Sequence, residues 1–162
     1  MQRVRTLLAD NEFKENIAKI ASKEKERQFC RHDLHHFLDV ARICYQLWLE
    51  EKCPDQENID KEIIYTAALL HDIGRWQEYD GAGDHALISS EMAHTILERL
   101  GFNRGEISII TQAISVHRKI NGRETVLGRM LYRADKLSRL CHVCPVQDEC
   151  YKYHYLKEQD IY

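Results

Sequence analysis

Ala67-Ala68-Leu69-Leu70-His71-Asp72-Ile73-Gly74 sets an adjacent His-Asp pair at the end of an apolar run. Asp60 stands where it can N-cap a helix beginning at Lys61, and Gly74 falls just past the end, so the spacing predicts a helix over 61–72. Ile64 and Ala68 mark its apolar stripe, and that stripe leads by turns to His71 and Asp72. A titratable pair thus continues the core-facing line of a helix. A buried carboxylate without a partner costs several kcal/mol. At a helix C-terminus the backbone carbonyls also favour a nearby cation.

The same pattern recurs outward in both directions. A helix over 31–50 has the stripe Val40, Ile43 and Leu47; stepping back by turns from Val40 reaches His36 and then His32. His35, Asp39, Arg42 and Gln46 fall on the opposite, solvent-facing side. Downstream, Asn103 with Glu106 reads as a capping box for a helix in which Ile107, Ile110 and Ile114 lead to His117. A further helix over 124–140 carries Leu127 and Leu131, which lead to Asp135. Each residue alone has a plainer explanation. A lone histidine on an apolar face is usually a hydrogen-bonded core residue, and Asp72 or Asp135 can pair with Arg75 or another neighbouring arginine. Agreement across these helices points instead to a cation coordinated by imidazoles and carboxylates.

The remaining chain is also helical in pattern. Leu7, Phe13, Ile17 and Ile20 among charges predict one or two amphipathic helices up to about Lys25. Cys53-Pro54 to Asn58 reads as a loop, Trp76 to Tyr79 as a turn or short helix, and Gly81-Ala82-Gly83 as a break. A helix follows over 85–100; Asn121-Gly122 is a turn signal, and the tail is expected to add a short last helix. The expected fold is all-α, a single-domain bundle of roughly six to eight helices around a His/Asp metal site. It occupies 1–162, with an N-terminal helical extension at 1–30 and a cysteine-containing tail at 141–162 packed on it.

The formal net charge of −3 gives the protein as a whole no electrostatic reason to seek nucleic acid. Arg118, Lys119, Arg123, Arg129, Arg133, Lys136 and Arg139 are nonetheless concentrated in one stretch, read either as a solvated helix face or as an anion-attracting rim. No segment resembles a signal peptide and no apolar run could span a bilayer, so the cytoplasm is the expected address, with no membrane partner. The six cysteines are then expected to be thiols or metal ligands.

With these residues in place, the chain resembles the HD superfamily of metal-dependent phosphohydrolases, whose pattern is a His, an adjacent His-Asp pair and a distant Asp. The matching segments are His36-Phe37-Leu38-Asp39-Val40-Ala41, Ala67 to Arg75, and Ala134-Asp135-Lys136-Leu137. The resemblance covers roughly Arg31 to Arg139. It implies that His36, His71, Asp72 and Asp135 bind one metal, and that His85 and His117 add a second. His94 is out of phase with His85 and is read as an ordinary surface or core-edge residue. His32 is expected behind the ligands, as a hydrogen-bond partner of one of them. Asp72 would be both ligand and orienter of a metal-activated water. Arg75 is a candidate phosphate clamp. Lys136 and Arg139 are further candidates, with an exposed ion pair the better reading for Lys136. Imidazole with carboxylate suits one or two divalent ions of Fe, Mn, Co, Ni or Zn.

Cys141, Cys144 and Cys150 form a C-x2-C-x5-C arrangement with His142 and His154 nearby, a candidate second metal site. Cys30, Cys53 or a histidine could complete it. Structural zinc is the first reading, an iron–sulfur cluster the second, and reduced thiols the plain alternative. The resemblance implies hydrolysis of a phosphate ester or phosphoanhydride in a small phosphorylated substrate, a nucleotide or a related molecule. A non-catalytic nucleotide-binding module is the alternative, nucleic-acid binding ranks third, and a homo-oligomer is left open.

Overall fold

The computed structural model describes residues 1–51, 59–118 and 125–153. Among them are α1 (Gln2–Ala9), α2 (Asn11–Lys23), α3 (Leu34–Glu50), α4 (Lys61–Leu70), α5 (Arg75–Tyr79), α6 (His85–Arg99), α7 (Arg104–Val116) and α8 (Val126–Leu137), with no strand. Two short 3-10 turns, Cys141–Val143 and Gln147–Glu149, stand where one last helix was expected. The loop at 53–58 and the Asn121-Gly122 turn lie outside the described residues.

Side-chain caps set the helix starts. Asp60 accepts from Ile63 N at 2.8 Å, and the Asn103–Glu106 capping box is complete. Asp33 accepts from His36 N at 3.0 Å, so α3 begins at Leu34 rather than near Arg31. His32 therefore precedes the helix instead of riding on its stripe. α4 ends at Leu70, which leaves His71 as its cap and Asp72 in the turn leading to α5.

α3 packs on α4 and α8, and α7 packs on α4, α6 and α8. Phe37, Ile64, Leu69, Leu70, Ile110 and Leu131 fill the space between them with no exposed surface. Two contacts anchor the N-terminal helices. Arg3 bridges Glu62 of α4 and Glu106 of α7, each at 2.8 Å, while Asn16 of α2 accepts from Trp76 Nε1 of α5 at 2.9 Å. Gly74 lets the α4–α5 turn lie against α6: a Cβ there would come within 2.9 Å of Ser89 N and 2.7 Å of Ile88 Cγ2. This packing gathers helix ends into one place. His71 and His117 cap the C-termini of α4 and α7, Asp135 is in the last turns of α8, His36 is in the first turn of α3, and His85 opens α6. Among the described residues no helix is long and apolar enough to cross a membrane.

Candidate metal centre

Asp72 is the hub where these ends meet. Its Oδ1 lies 2.9 Å from His85 Nε2 and 3.4 Å from His117 Nε2; its Oδ2 lies 3.6 Å from His71 Nε2 and 3.7 Å from His32 Nε2. Asp135 Oδ1 stands 3.6 Å from His36 Nε2. The donor atoms of His36, His71 and Asp135 all lie within 4.8 Å of one another, as do those of His71, Asp72 and His117 and those of His32, His36 and Asp72.

The outer nitrogen of each ring fixes what the inner one presents. His71 Nδ1 is 2.6 Å from the carbonyl of Ala68 and His117 Nδ1 is 2.6 Å from the carbonyl of Ile114. A carbonyl only accepts, so both Nδ1 atoms carry the proton and both Nε2 atoms turn a lone pair inward. Ser138 donates its hydroxyl proton to the Asp135 carbonyl at 3.0 Å, which leaves its oxygen to accept from His36 Nδ1 at 3.2 Å. Carboxylates hold the other two rings: Glu24 faces His32 Nδ1 at 2.6 Å and Glu78 faces His85 Nδ1 at 2.7 Å. Glu78 and Asp84 also form a donor group with His85, but Glu78 occupies the outer nitrogen, so the inner one belongs to Asp72.

The centre is thus lined with lone pairs that face one another. His36 Nε2, His71 Nε2 and Asp72 Oδ1 are buried with no hydrogen-bond partner. Acceptors crowded in this way repel unless a cation lies between them, and outer hydrogen bonds that orient ligating imidazoles are the usual support of a metal site. The donor set fits a divalent metal: His36, His71, Asp72 and Asp135 could hold one, and His85 and His117, which both face Asp72, could contribute to a second. The charge states agree. Burial lowers the His71 imidazole to about 3 and the His36 imidazole to about 4, so both are neutral. Burial pushes the Asp72 carboxyl up, but the facing His71 and the Arg75 guanidinium outweigh it and hold the group well below the usual carboxylate range. Burial acts on Asp135 in the same sense and is outweighed by Arg139 and Lys136. Neutral imidazole and ionised carboxylate are the ligating forms.

His32 does not sit behind a ligand. Its Nε2 is one of the converging atoms, and the residue behind it is Glu24, which sequence reasoning missed. Glu24 is 2% exposed; it accepts from His32 N at 2.7 Å and from the Tyr79 hydroxyl at 2.5 Å, and it lies 3.8 Å from Arg75 Nε. Burial raises its carboxyl, yet His32 and Tyr79 bring it down to about 2. In the sequence it lies in the run Lys23-Glu24-Lys25-Glu26-Arg27, where nothing distinguishes it from a solvated charge.

Above the centre opens a cavity of about 240 Å³, walled by Asp72, His85, His117 and Asp135 and by the cations Arg75, Arg118, Lys136, Arg139 and Lys152. Arg75 Nη1 lies 3.4 Å from Asp72 Oδ2, and Arg139 Nη2 lies 3.1 Å from each Asp135 oxygen. Lys136 Nζ pairs with Asp135 Oδ2 at 2.5 Å, and Arg118 reaches Glu78 and Asp84, each at 2.9 Å. Of the cation-rich stretch, Arg118, Lys136 and Arg139 face this cavity; Arg129 is exposed and Arg133 pairs with Glu51. Lys119 and Arg123 lie outside the described residues. Lys152, which no motif marked, arrives from the tail. His94 is 55% exposed in its side chain and faces Glu98 at 3.8 Å, away from the centre. Cys141, Cys144 and Cys150 line a second cavity together with Cys30; Cys53 and His154 lie outside the described residues.

Comparison with known proteins gives this geometry a family. The HD domain family matches residues 33–140. An uncharacterized protein of Clostridium beijerinckii is 43% identical over 150 residues, 93% of this chain and 92% of that one. Ribonuclease Y of Chloroflexus aurantiacus is 36% identical over 124 residues, 76% of this chain but 22% of that protein. The crystal structure of a predicted HD superfamily hydrolase from an uncultured Thermotogales bacterium superposes with a TM-score of 0.58 at 29% identity, covering 76% of this chain and 66% of that one. A match that spans His36, the His71-Asp72 pair and Asp135 places the chain in the HD domain family.

Proposed function

We propose that the protein is a metal-dependent phosphohydrolase that cleaves a phosphate ester or phosphoanhydride of a nucleotide or a related small molecule. The observation that carries this reading is the juxtaposition of two features. Inward-facing lone pairs and ionised carboxylates form the floor, and five cations form the wall of the cavity directly above. One or two divalent metals bound at the floor would supply Lewis-acid activation of water and of the phosphoryl group.

The chain's own residues do the rest. Fixed Nδ1 protons on His71 and His117 keep their Nε2 atoms from donating, so these rings hold a metal and move no proton. Arg75 and Arg118 reach the cavity from ion pairs that an incoming phosphate can share, and Arg139 and Lys136 shield Asp135 while facing the same space. A phosphoryl group gains charge on its equatorial oxygens as it transfers, and cations fixed in a half-buried wall stabilise that charge without reorganising. The ribonuclease Y relatives support phosphate-ester chemistry, although this chain matches only about a fifth of their length.

The test is turnover by metal-loaded protein against nucleoside mono-, di- and triphosphates, a dinucleotide and a short RNA. Product release abolished by Asp72→Ala supports the proposal. Nucleotide-induced stabilisation without product from any of these substrates would replace it with the binding-module reading.

A further inference from the structure

The four cysteines that line the second cavity lie outside the span matched by the HD domain family. Cys30 precedes residue 33, and Cys141, Cys144 and Cys150 follow residue 140. All four are free, part-buried cysteines that line one cavity of about 410 Å³, which His36 and Ser138 also line. The tail turns are built around the cysteines. Cys144 N donates to Cys141 O at 3.3 Å, Cys150 N to Gln147 O at 3.1 Å, and Tyr153 N to Cys150 O at 3.0 Å. Cys30 arrives from the opposite flank, its carbonyl accepting from Arg27 Nε at 2.8 Å.

This segment lacks what normally orders a chain. Neither 3-10 turn has a buried residue, and Leu140, Val143 and Tyr151 are 78%, 76% and 70% exposed. Fixing a residue's backbone costs conformational entropy, and little apolar burial offsets that here. Metal–thiolate bonds would. Burial raises the Cys141 thiol, as do Cys30, Cys150 and Cys144, while Arg139 opposes them, so the four sulfurs and one guanidinium share a local field. Cys44, sealed in the core of α3, takes no part.

Spacing selects the occupant. A single tetrahedral zinc with Zn–S of about 2.3 Å draws thiolates to about 3.8 Å of one another. The donor groups of this protein that close within 4.8 Å consist of His, Asp and Glu, with no cysteine among the described residues. The four cysteines instead line one cavity without closing to that spacing. We propose that Cys30, Cys141, Cys144 and Cys150 hold a [4Fe–4S] cluster that joins the two flanks of the HD domain. Arg139, which pairs with Asp135 on one side, faces this site on the other and offsets its negative charge.

The experiment is iron and acid-labile sulfide analysis of the full chain, prepared anaerobically and reconstituted with equal amounts of ferrous and ferric iron and with sulfide. Sulfide reports this site alone, because the His/Asp centre has no use for it. The expected result is broad visible absorption with about four sulfides and four irons per chain above the content of Cys144→Ser, with the same loss in Cys30→Ser. Wild-type protein that takes up no sulfide overturns the proposal, without reference to whether any variant folds. One zinc per chain held by the same cysteines in place of iron and sulfide overturns it equally.

Discussion

Replacing Glu24 by Gln separates a residue that shapes the metal centre from one that merely fills space. Glu24 accepts from His32 N, His32 Nδ1 and the Tyr79 hydroxyl at 2.7, 2.6 and 2.5 Å, all from a side chain 2% exposed. The amide keeps the shape, removes the charge and turns an N–H₂ toward at least one of those donors. Hydrogen bonds to a charged acceptor contribute about 1.5–3 kcal/mol each and are not additive within one network, so a loss of about 2–4 kcal/mol of metal-free stability is expected. His32 also loses the partner that turns its Nε2 inward, and changes of this kind typically cost about 10–100-fold in metal affinity. Manganese titration of metal-free protein reads the affinity, and thermal melting of the same samples reads the stability. In a His32→Ala background the Glu24 substitution should leave manganese affinity unchanged, because its effect runs through that ring. Wild-type affinity in the Glu24→Gln variant, with only its melting temperature lowered, would refute the reasoning and make Glu24 a structural residue.

Acidification should destabilise metal-free protein earlier than carboxylate protonation alone would. His36 and His71 are held neutral at about 4 and about 3 against an ordinary 6.5, so the unfolded chain takes up protons first. Their contribution is complete above pH 6.5 and is lost as the pH falls through the folded values; the depressed Asp72 and Asp135 add a further loss below about 3.8. A flat melting temperature between about pH 7 and about pH 4 would count against this. Gly74→Ala should lower stability by about 1–3 kcal/mol in chemical denaturation, because its Cβ meets Ser89 backbone and Ile88; an unchanged midpoint would show that α6 yields freely. Arg118→Ala should raise KM about tenfold or more for an anionic substrate with a smaller change in kcat, and added salt should narrow the difference; equal KM values would remove Arg118 from substrate binding.

The helices and their caps were legible because the signals are local. Asp60, Asn103 and Glu106 act within one turn of their own backbone, and the apolar stripes that lead to His71, His117 and Asp135 are buried as the period requires. The centre itself was legible for a related reason: a titratable group that continues a core stripe conflicts with burial unless something compensates. His32 shows the limit of that argument. Stepping by turns assumed a helix continuous from about Arg31, whereas the Asp33 cap starts α3 at Leu34 and leaves His32 outside the helix, held by Glu24. Glu24, Tyr79 and Lys152 were invisible because their roles depend on which distant segment they meet. Glu24 lies eight residues before His32 but 55 before Tyr79, and no periodicity links the three. The C-x2-C-x5-C spacing suggested a thiolate site with Cys30, Cys53 or a histidine to complete it, and the fold sets Cys30 beside the same cavity.

The central claim is that the converging His and Asp residues hold metal. Titration of metal-free protein with manganese tests it most directly, since that ion prefers imidazole and carboxylate to thiolate and so ignores the cysteine cavity. About one or two manganese ions per chain are expected, lost when His71→Ala and Asp72→Ala are combined and retained in Cys144→Ser. Manganese binding that survives the His71/Asp72 double substitution, or is absent from the wild-type protein, would contradict it.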